Sequence, residues 1–214
     1  MSAEHYNDAS KFGKDYFVNS DISNYEDYRK KKFESLANDI ISAINLSKNH
    51  YILDFGCATG GLLYQFKKLG FEHIRGTDIS MWSITYGLEH YGLENHLDYY
   101  NVNLLREHFD YTLFLDVLEH IPKVQMIEQY LSICNSKYIL VRLPVSENEG
   151  EPYVLPVSRN DKTHVQCHTK EWWIKLFEKF NYFPKKYMKE EETPSIYESA
   201  GVLAVLLQKK KEAK

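Results

Sequence analysis

The sequence predicts an α/β fold, a three-layer sandwich with helices on both faces of a mostly parallel sheet. Three observations carry this. Short apolar runs of strand length alternate with amphipathic stretches of helical length along most of the chain. Glycines close two of the helical stretches, at Gly70 and Gly92. The last two strand-like runs, 185–189 and 201–208, have no long helix between them, so they pair as an antiparallel edge.

The elements follow in order. Residues 1–20 are polar and aromatic with little periodicity. Residues 25–45 read as a helix, with Phe33, Leu36, Ala37, Ile40, Ile41 and Ile44 at helical spacing and Ser23 or Asn24 as its cap. Lys30, Lys31 and Lys32 fall on its solvated face. A strand at 51–55 runs into a glycine cluster, and a helix follows at 60–69. A second strand spans 73–78, a helix 80–90 and a third strand 97–102. The fourth, 111–115, is almost wholly apolar, as a strand covered on both faces should be. A helix at 122–134 has proline near its start. The fifth strand is 138–143, and the helix at 170–180 turns Trp172, Trp173, Leu176, Phe177 and Phe180 inward. Residues 209–214 are a solvated tail.

The 214 residues suit one domain. A formal charge of −4 and the lack of a basic-aromatic strip argue against a protein built to coat nucleic acid or anionic membrane. Cys57, Cys134 and Cys167 are an odd, scattered set and a poor disulfide framework. The first residues lack a signal-peptide pattern, and no apolar run reaches the length of a membrane span. A cytoplasmic protein is therefore expected. Nothing in the sequence speaks to oligomeric state.

The central signal is the turn Asp54, Gly56, Cys57, Ala58, Gly60, Gly61. Small residues between a strand and a helix let the backbone approach a ligand, and the helix start offers free N–H groups. Asp78, at the end of the next strand, is placed to accept hydrogen bonds from ribose hydroxyls. Gly56, Ala58 and Gly61 also make a passable dinucleotide fingerprint, which would mean a nicotinamide-dependent oxidoreductase. Asp54 weighs against that, because its carboxylate would repel a pyrophosphate. It suits the ammonium of a methionine moiety, which points to S-adenosylmethionine.

These residues resemble the class I methyltransferases. Asp54, Gly56, Ala58 and Gly60 follow the family's acid-and-glycines pattern, with Ala58 in place of the middle glycine. The stretch 109–122, which contains Asp116, Val117, Leu118, Glu119 and His120, looks like the family's fourth strand and following turn. The order of elements resembles the family from about 51 to 208. The resemblance implies a Rossmann-like fold with a seven-stranded sheet whose last strand is antiparallel, and S-adenosylmethionine as cofactor. It implies that Asp54, Gly56, Cys57, Ala58 and Gly60 hold the methionine part, Cys57 as a small packing residue. Asp78 would bind ribose, Ile79 would pack on adenine, Asn103 and Leu104 would meet the adenine edge, and Asp116 would lie beside the methyl group. Residues 1–49 would form an N-terminal helical lid on a core of 50–208, with Tyr16 in an aromatic segment that folds over the cofactor.

A hydroxyl acceptor needs its proton removed. Candidate bases are Asp116 and His120 after the fourth strand, and Asp161 and His164 in an acceptor loop, 145–169, after the fifth. Plainer roles compete: His120 can hold its turn, Asp161 can be a turn residue, Thr163 a cap, and Trp172 and Trp173 packing residues. His164, Cys167 and His168 make a poor metal set without a distant fourth ligand, so no metal is expected. The sequence lacks the Asn/Asp-Pro-Pro-aromatic motif of amide and adenine N-methylation and the Pro-Cys nucleophile of cytosine C5 methylation. The leading expectation is O-methylation of a small molecule such as a sugar or glycan precursor. The alternative is a catalytically silent cofactor-binding partner subunit.

Overall fold

The structure is a computed structural model and describes residues 9–19, 21–22 and 27–210. The expected cap at Ser23 or Asn24 and most of the tail lie outside the described residues. Helix α1 is Lys14–Val18, preceded by a 3-10 turn Ser10–Phe12, and α2 is Glu34–Ile44. The core then runs β1 Ile52–Phe55, α3 Gly61–Lys68, β2 Ile74–Asp78, α4 Met81–Tyr91, β3 Leu97–Tyr99 and β4 Phe109–Leu115. It continues with α5 Val124–Ile133, β5 Ser136–Pro144, α6 Pro156–Asn160, α7 Lys170–Lys179, β6 Tyr182–Tyr187 and β7 Val202–Lys209.

The strands form one seven-stranded sheet in the order β3-β2-β1-β4-β5-β7-β6. Pairings among β1 to β5 are parallel, and β7 runs antiparallel to both β5 and β6. This is the expected Rossmann-like arrangement. Side chains alternate between two cores along each strand. Ile52, Leu113, Leu140 and Ala204 pack with Ala37, Ile40, Leu63 and Phe66 of α2 and α3. Leu53, Phe114, Ile139 and Val205 face the opposite layer, with Ile127, Trp173 and Phe177 of α5 and α7. Both faces are therefore closed, which is why β4 and β5 read as nearly unbroken apolar runs.

Three of the boundaries that move do so for a clear local reason, and one helix is unexpected. The helix expected at 25–45 begins only at Glu34, and residues 28–30 form a turn. The Tyr28 N–H donates to Phe17 O at 2.8 Å and its ring packs on Phe17, so this stretch is tied to α1 instead. The third strand stops at Tyr99, because Tyr100 takes a φ of 43° and the chain continues as a 3-10 turn, Val102–Arg106. The helix after β4 starts at Val124, beyond Pro122, since Lys123 is extended. Helix α6 is an element that sequence periodicity does not reveal; Pro156 opens it inside the 145–169 loop.

Candidate functional site

The C-terminal ends of β1, β2 and β4 open into a cleft enclosing about 910 Å³, part of it open to solvent. That is the size of a small-molecule site, and it lies where parallel sheets of this order bind nucleotides. Gly56, Ala58, Asp78, Ile79, Asp116 and His120 line it, with Asn101 and Val102 on one wall. Phe12, Tyr16, Phe17 and Tyr28 cover it from the N-terminal segment.

The turn after β1 is held by left-handed backbone. Gly56, Ala58 and Gly60 have φ of 84°, 50° and 73°. A Cβ on Gly56 would stand 2.5 Å from Val117 Cγ2, so close approach as well as conformation requires glycine there. Ala58 accepts the conformation at a cost in strain. Its N–H donates to Asp78 Oδ2 at 2.8 Å, while the Ser80 N–H donates to Asp78 Oδ1 at 2.7 Å. Ser80 in turn caps α4, accepting the Ser83 N–H on its hydroxyl. One carboxylate thus fastens the β1 turn to the start of α4.

Asp54 is buried, and Asp78 is half-buried at the cleft wall. Burial, then the charge of Asp78, pushes the Asp54 carboxyl up to about 7. Burial pushes Asp78 up to about 6, against the two backbone N–H donors that favour its ionised form. Cys57 is buried behind the turn, its thiol raised by burial, with Sγ against Gly76.

A second cluster sits at the inner wall. The loop after α6 is clamped onto the turn after β4: the Val165 and Gln166 N–H groups donate to Glu119 O at 2.8 and 3.0 Å, and Gln166 Nε2 donates to Ile121 O at 2.8 Å. This brings His164 against His120, ring centroids 4.6 Å apart. Thr163 Oγ1 lies 2.6 Å from Asp161 Oδ1 and 2.9 Å from His120 Nδ1. Its single proton goes to the carboxylate, so the hydroxyl accepts the His120 Nδ1–H. The His164 Nδ1–H donates to the carbonyl of Ser158 at 3.0 Å. Tyr16 donates to Asp161 Oδ2 at 3.3 Å and tethers the N-terminal segment to this cluster. Burial, then the neighbouring His164, lowers His120 to about 4, and burial also lowers His164. Burial, then Asp116, holds the Glu119 carboxyl well above the usual range. Asp116 itself pairs with Arg142 of β5.

A family model described as a methyltransferase domain matches residues 25–184. The chain belongs to the methyltransferase-domain family. No curated protein matches this methyltransferase. Solved structures share its fold at low identity. An S-adenosylmethionine-dependent methyltransferase from Archaeoglobus fulgidus aligns at 19% identity and a TM-score of 0.60, over 85% of this chain and 96% of the other. Magnesium protoporphyrin IX methyltransferase from Synechocystis, with bound S-adenosylhomocysteine, aligns at 14% identity and a TM-score of 0.60, over 97% of this chain and 94% of the other. The [4+2]-cyclase SpnF aligns at 13% identity and a TM-score of 0.58, over 82% of this chain and 80% of the other.

In this methyltransferase the cleft gathers Gly56, Ala58, Asp78, Ile79, Asp116, His120 and Tyr16 from the sequence-derived set. Asp54, Cys57 and Gly60 stand behind the turn rather than in the wall, with Gly60 packed against Leu93 and Leu97. Asn103 and Leu104 depart from expectation. Leu104 is buried in the core and Asn103 is exposed, and the wall they were expected to form is made by Asn101 and Val102. The early end of β3 shifts the contact by two positions. Asp161 and His164 belong to the inner cluster, not the cleft wall. Glu119 and Arg142 were not singled out from sequence; only the position of Glu119 beside His120 hinted at it.

Proposed function

We propose that this methyltransferase uses S-adenosylmethionine to methylate a hydroxyl group of a small molecule, such as a sugar or glycan precursor. The carrying observation is the pair His120 and His164. Each has Nδ1 engaged as a donor and is held neutral by burial, which leaves the Nε2 lone pair of His120 at the cleft and that of His164 inside the cluster, 3.7 Å from Asp161 Oδ2.

The cleft fits the cofactor. Asp54 is buried, and the charge of Asp78 beside it raises its cost of ionisation further, an arrangement a cationic ligand relieves. Asp54, behind the turn, would hold the amino group through water and Asp78 the ribose directly, each Asp78 oxygen keeping a lone pair beyond its backbone donor. Ile79 and Val102 offer apolar flanks for the adenine, and Asn101 a polar edge. When bound, S-adenosylmethionine supplies a methyl group made electrophilic by its sulfonium. The chain's own work is to position the acceptor, exclude water and take the hydroxyl proton. The N-terminal segment serves as the lid, with Phe12 and Tyr16 packed edge-on to His120 at 5.5 and 6.2 Å. His164 or His120 takes the proton at Nε2, with Asp161 as the fixed partner.

Calorimetry with S-adenosylhomocysteine, followed by a labelled-methyl assay over an acceptor panel of sugars and small alcohols, tests the reading. His164→Ala should lower kcat about 10²- to 10⁴-fold, as loss of a general base does, and leave S-adenosylhomocysteine affinity unchanged. Absence of binding sinks the proposal. One observation favours the second reading, a catalytically silent cofactor-binding subunit: Ala58 stands at a φ of 50° with its N–H already taken by Asp78. Binding without methyl transfer, together with a stable complex with another protein, would establish it.

A further inference from the structure

Glu119 breaks the ordinary rule for buried charge. Its side chain is fully buried, and neither carboxylate oxygen has a hydrogen-bond partner. Buried carboxylates are ordinarily paired, hydrogen-bonded or bound to a metal. The 3-10 turn Leu118–His120 and the clamp from Val165 and Gln166 fix it in place, so it cannot swing out to water without breaking both.

Two imidazoles lie near Glu119, along with the charged groups of Asp116, Arg142 and Asp161. One ligand atom each from Glu119, His120 and His164 lie within 4.8 Å of one another. The hydrogen bonds at the two Nδ1 positions leave Nε2 as the donor atom on both rings, that of His164 also facing Asp161 Oδ2 at 3.7 Å. A hydroxyl or carbonyl acceptor behind Nδ1 is the usual support of a metal-ligating histidine, since it fixes the tautomer and the ring. For His120 the support extends through Thr163 to Asp161. His168 and Cys167 take no part: His168 lies on Glu149 and stacks on Trp172, and Cys167 donates to Glu151 O.

We propose that Glu119, His120 and His164 bind one divalent transition-metal ion of the zinc, iron(II) or manganese(II) class. Two imidazoles and one carboxylate favour such ions over magnesium or calcium, which take oxygen. Three protein ligands leave coordination positions open. His120 also lines the cleft, so the open side is reached from the acceptor's space. The ion would take an acceptor hydroxyl oxygen and make its proton easier to lose. That proton leaves to water, and the oxygen pair forms the new C–O bond as the sulfonium's C–S bond breaks. This last role rests on the proposed function and replaces the imidazoles as bases; metal binding does not depend on it.

The test uses the full chain, stripped with a chelator and dialysed. Calorimetric titration with Zn²⁺ should show one ion per chain, and Co²⁺ should give ligand-field absorption. Glu119→Gln should weaken Zn²⁺ binding about 100-fold or more, and Thr163→Val, which spares every ligand, about 10- to 100-fold. His168→Ala should change nothing. Glu119→Gln removes a buried carboxylate, so its metal-free melting temperature should not fall; if it fails to fold, His164→Asn is the replacement. Failure to bind Zn²⁺ stoichiometrically overturns the proposal, as does undiminished binding by the ligand variants or loss of binding in His168→Ala. Mg²⁺ binding as tight as Zn²⁺ overturns the metal class. Calorimetry with S-adenosylhomocysteine on the same samples separates the two readings: loss of that binding with metal binding intact defeats the proposed function alone.

Discussion

Ala58 gives its backbone N–H to the carboxylate of Asp78 at 2.8 Å while holding a φ of 50°. The contact joins the turn after β1 to the end of β2, and so sets the spacing between the two parts of the cleft. It also uses a residue type that the left-handed region disfavours.

Ala58→Gly should relieve that strain. The gain of about 1 kcal/mol from removing a left-handed Cβ is partly offset by roughly 0.4–1 kcal/mol of extra chain entropy in the unfolded state. The expected outcome in urea unfolding is stability equal to or slightly above the parent, with S-adenosylhomocysteine affinity retained. A loss beyond about 1 kcal/mol would show that the methyl group packs favourably and that strain is not the dominant effect.

Gly56→Ala should act in the opposite direction. Its Cβ would meet Val117 Cγ2 at 2.5 Å, in a backbone conformation that already disfavours a side chain. The expected loss is about 2 kcal/mol or more. Val117→Ala removes the nearest methyl but keeps the Cβ that stands 2.8 Å away, so the double variant should be only partly more stable than the sum of the single changes predicts. Simple additivity in a double-mutant cycle would show that the Val117 methyls are not what Gly56→Ala collides with.

The two aspartates predict opposed pH trends. Asp54 and Asp78 stand at about 7 and about 6 in the folded chain, against an ordinary value of 3.8. A raised folded value means that the folded state binds protons more readily than the unfolded one. These groups therefore make the free protein more stable as pH falls from above 7 towards 4. Asp54→Asn should flatten that slope in melts recorded across the range. Binding of cationic S-adenosylmethionine requires the ionised carboxylates, so its affinity should fall on the order of ten-fold between about pH 8 and pH 5.5. Equal affinity at both values would remove the carboxylates from cofactor binding.

Phe12→Ala should weaken the cover without loosening the core. Phe12 is only partly buried, and its ring meets Tyr16 and His120 edge-on at centroid distances of 4.9 and 5.5 Å. Aromatic pairs of this kind contribute about 0.5–1.5 kcal/mol, which translates to roughly a 2- to 12-fold loss in S-adenosylhomocysteine affinity. Unchanged affinity would show that the segment packs over the site without gripping what lies in it.

The strand and helix order was legible because each element carries its own period. Tyr111 to Leu115 reads as a doubly covered strand and lies in β4, and the glycine turn lies at the mouth of β1. The Asp78 position at the end of β2 follows from the same logic. What could not be read depends on contacts across distance. Asn101 and Val102 face the cleft because Tyr100 turns early and donates its N–H to Asp78 O at 2.8 Å, an event no local pattern marks. Glu119 looked like an ordinary turn carboxylate, and its burial comes from a loop more than forty residues further on. His164 stands out in the sequence through its loop, but its partner His120 becomes evident only when that loop is laid against the turn.

The interior place of β7 has a consequence for how the chain is made. Synthesis delivers β6 before the strand that joins it to the rest of the sheet, so until Val202–Lys209 is available β5 presents an open edge and β6 has no neighbour. The pairing that closes this gap must wait until the other six strands have been made, and unpaired edges of this kind recruit other chains. A nascent methyltransferase is thus vulnerable to aggregation until β7 is made, with its cofactor cleft already assembled from β1, β2 and β4 and β6 still without a strand to pair with.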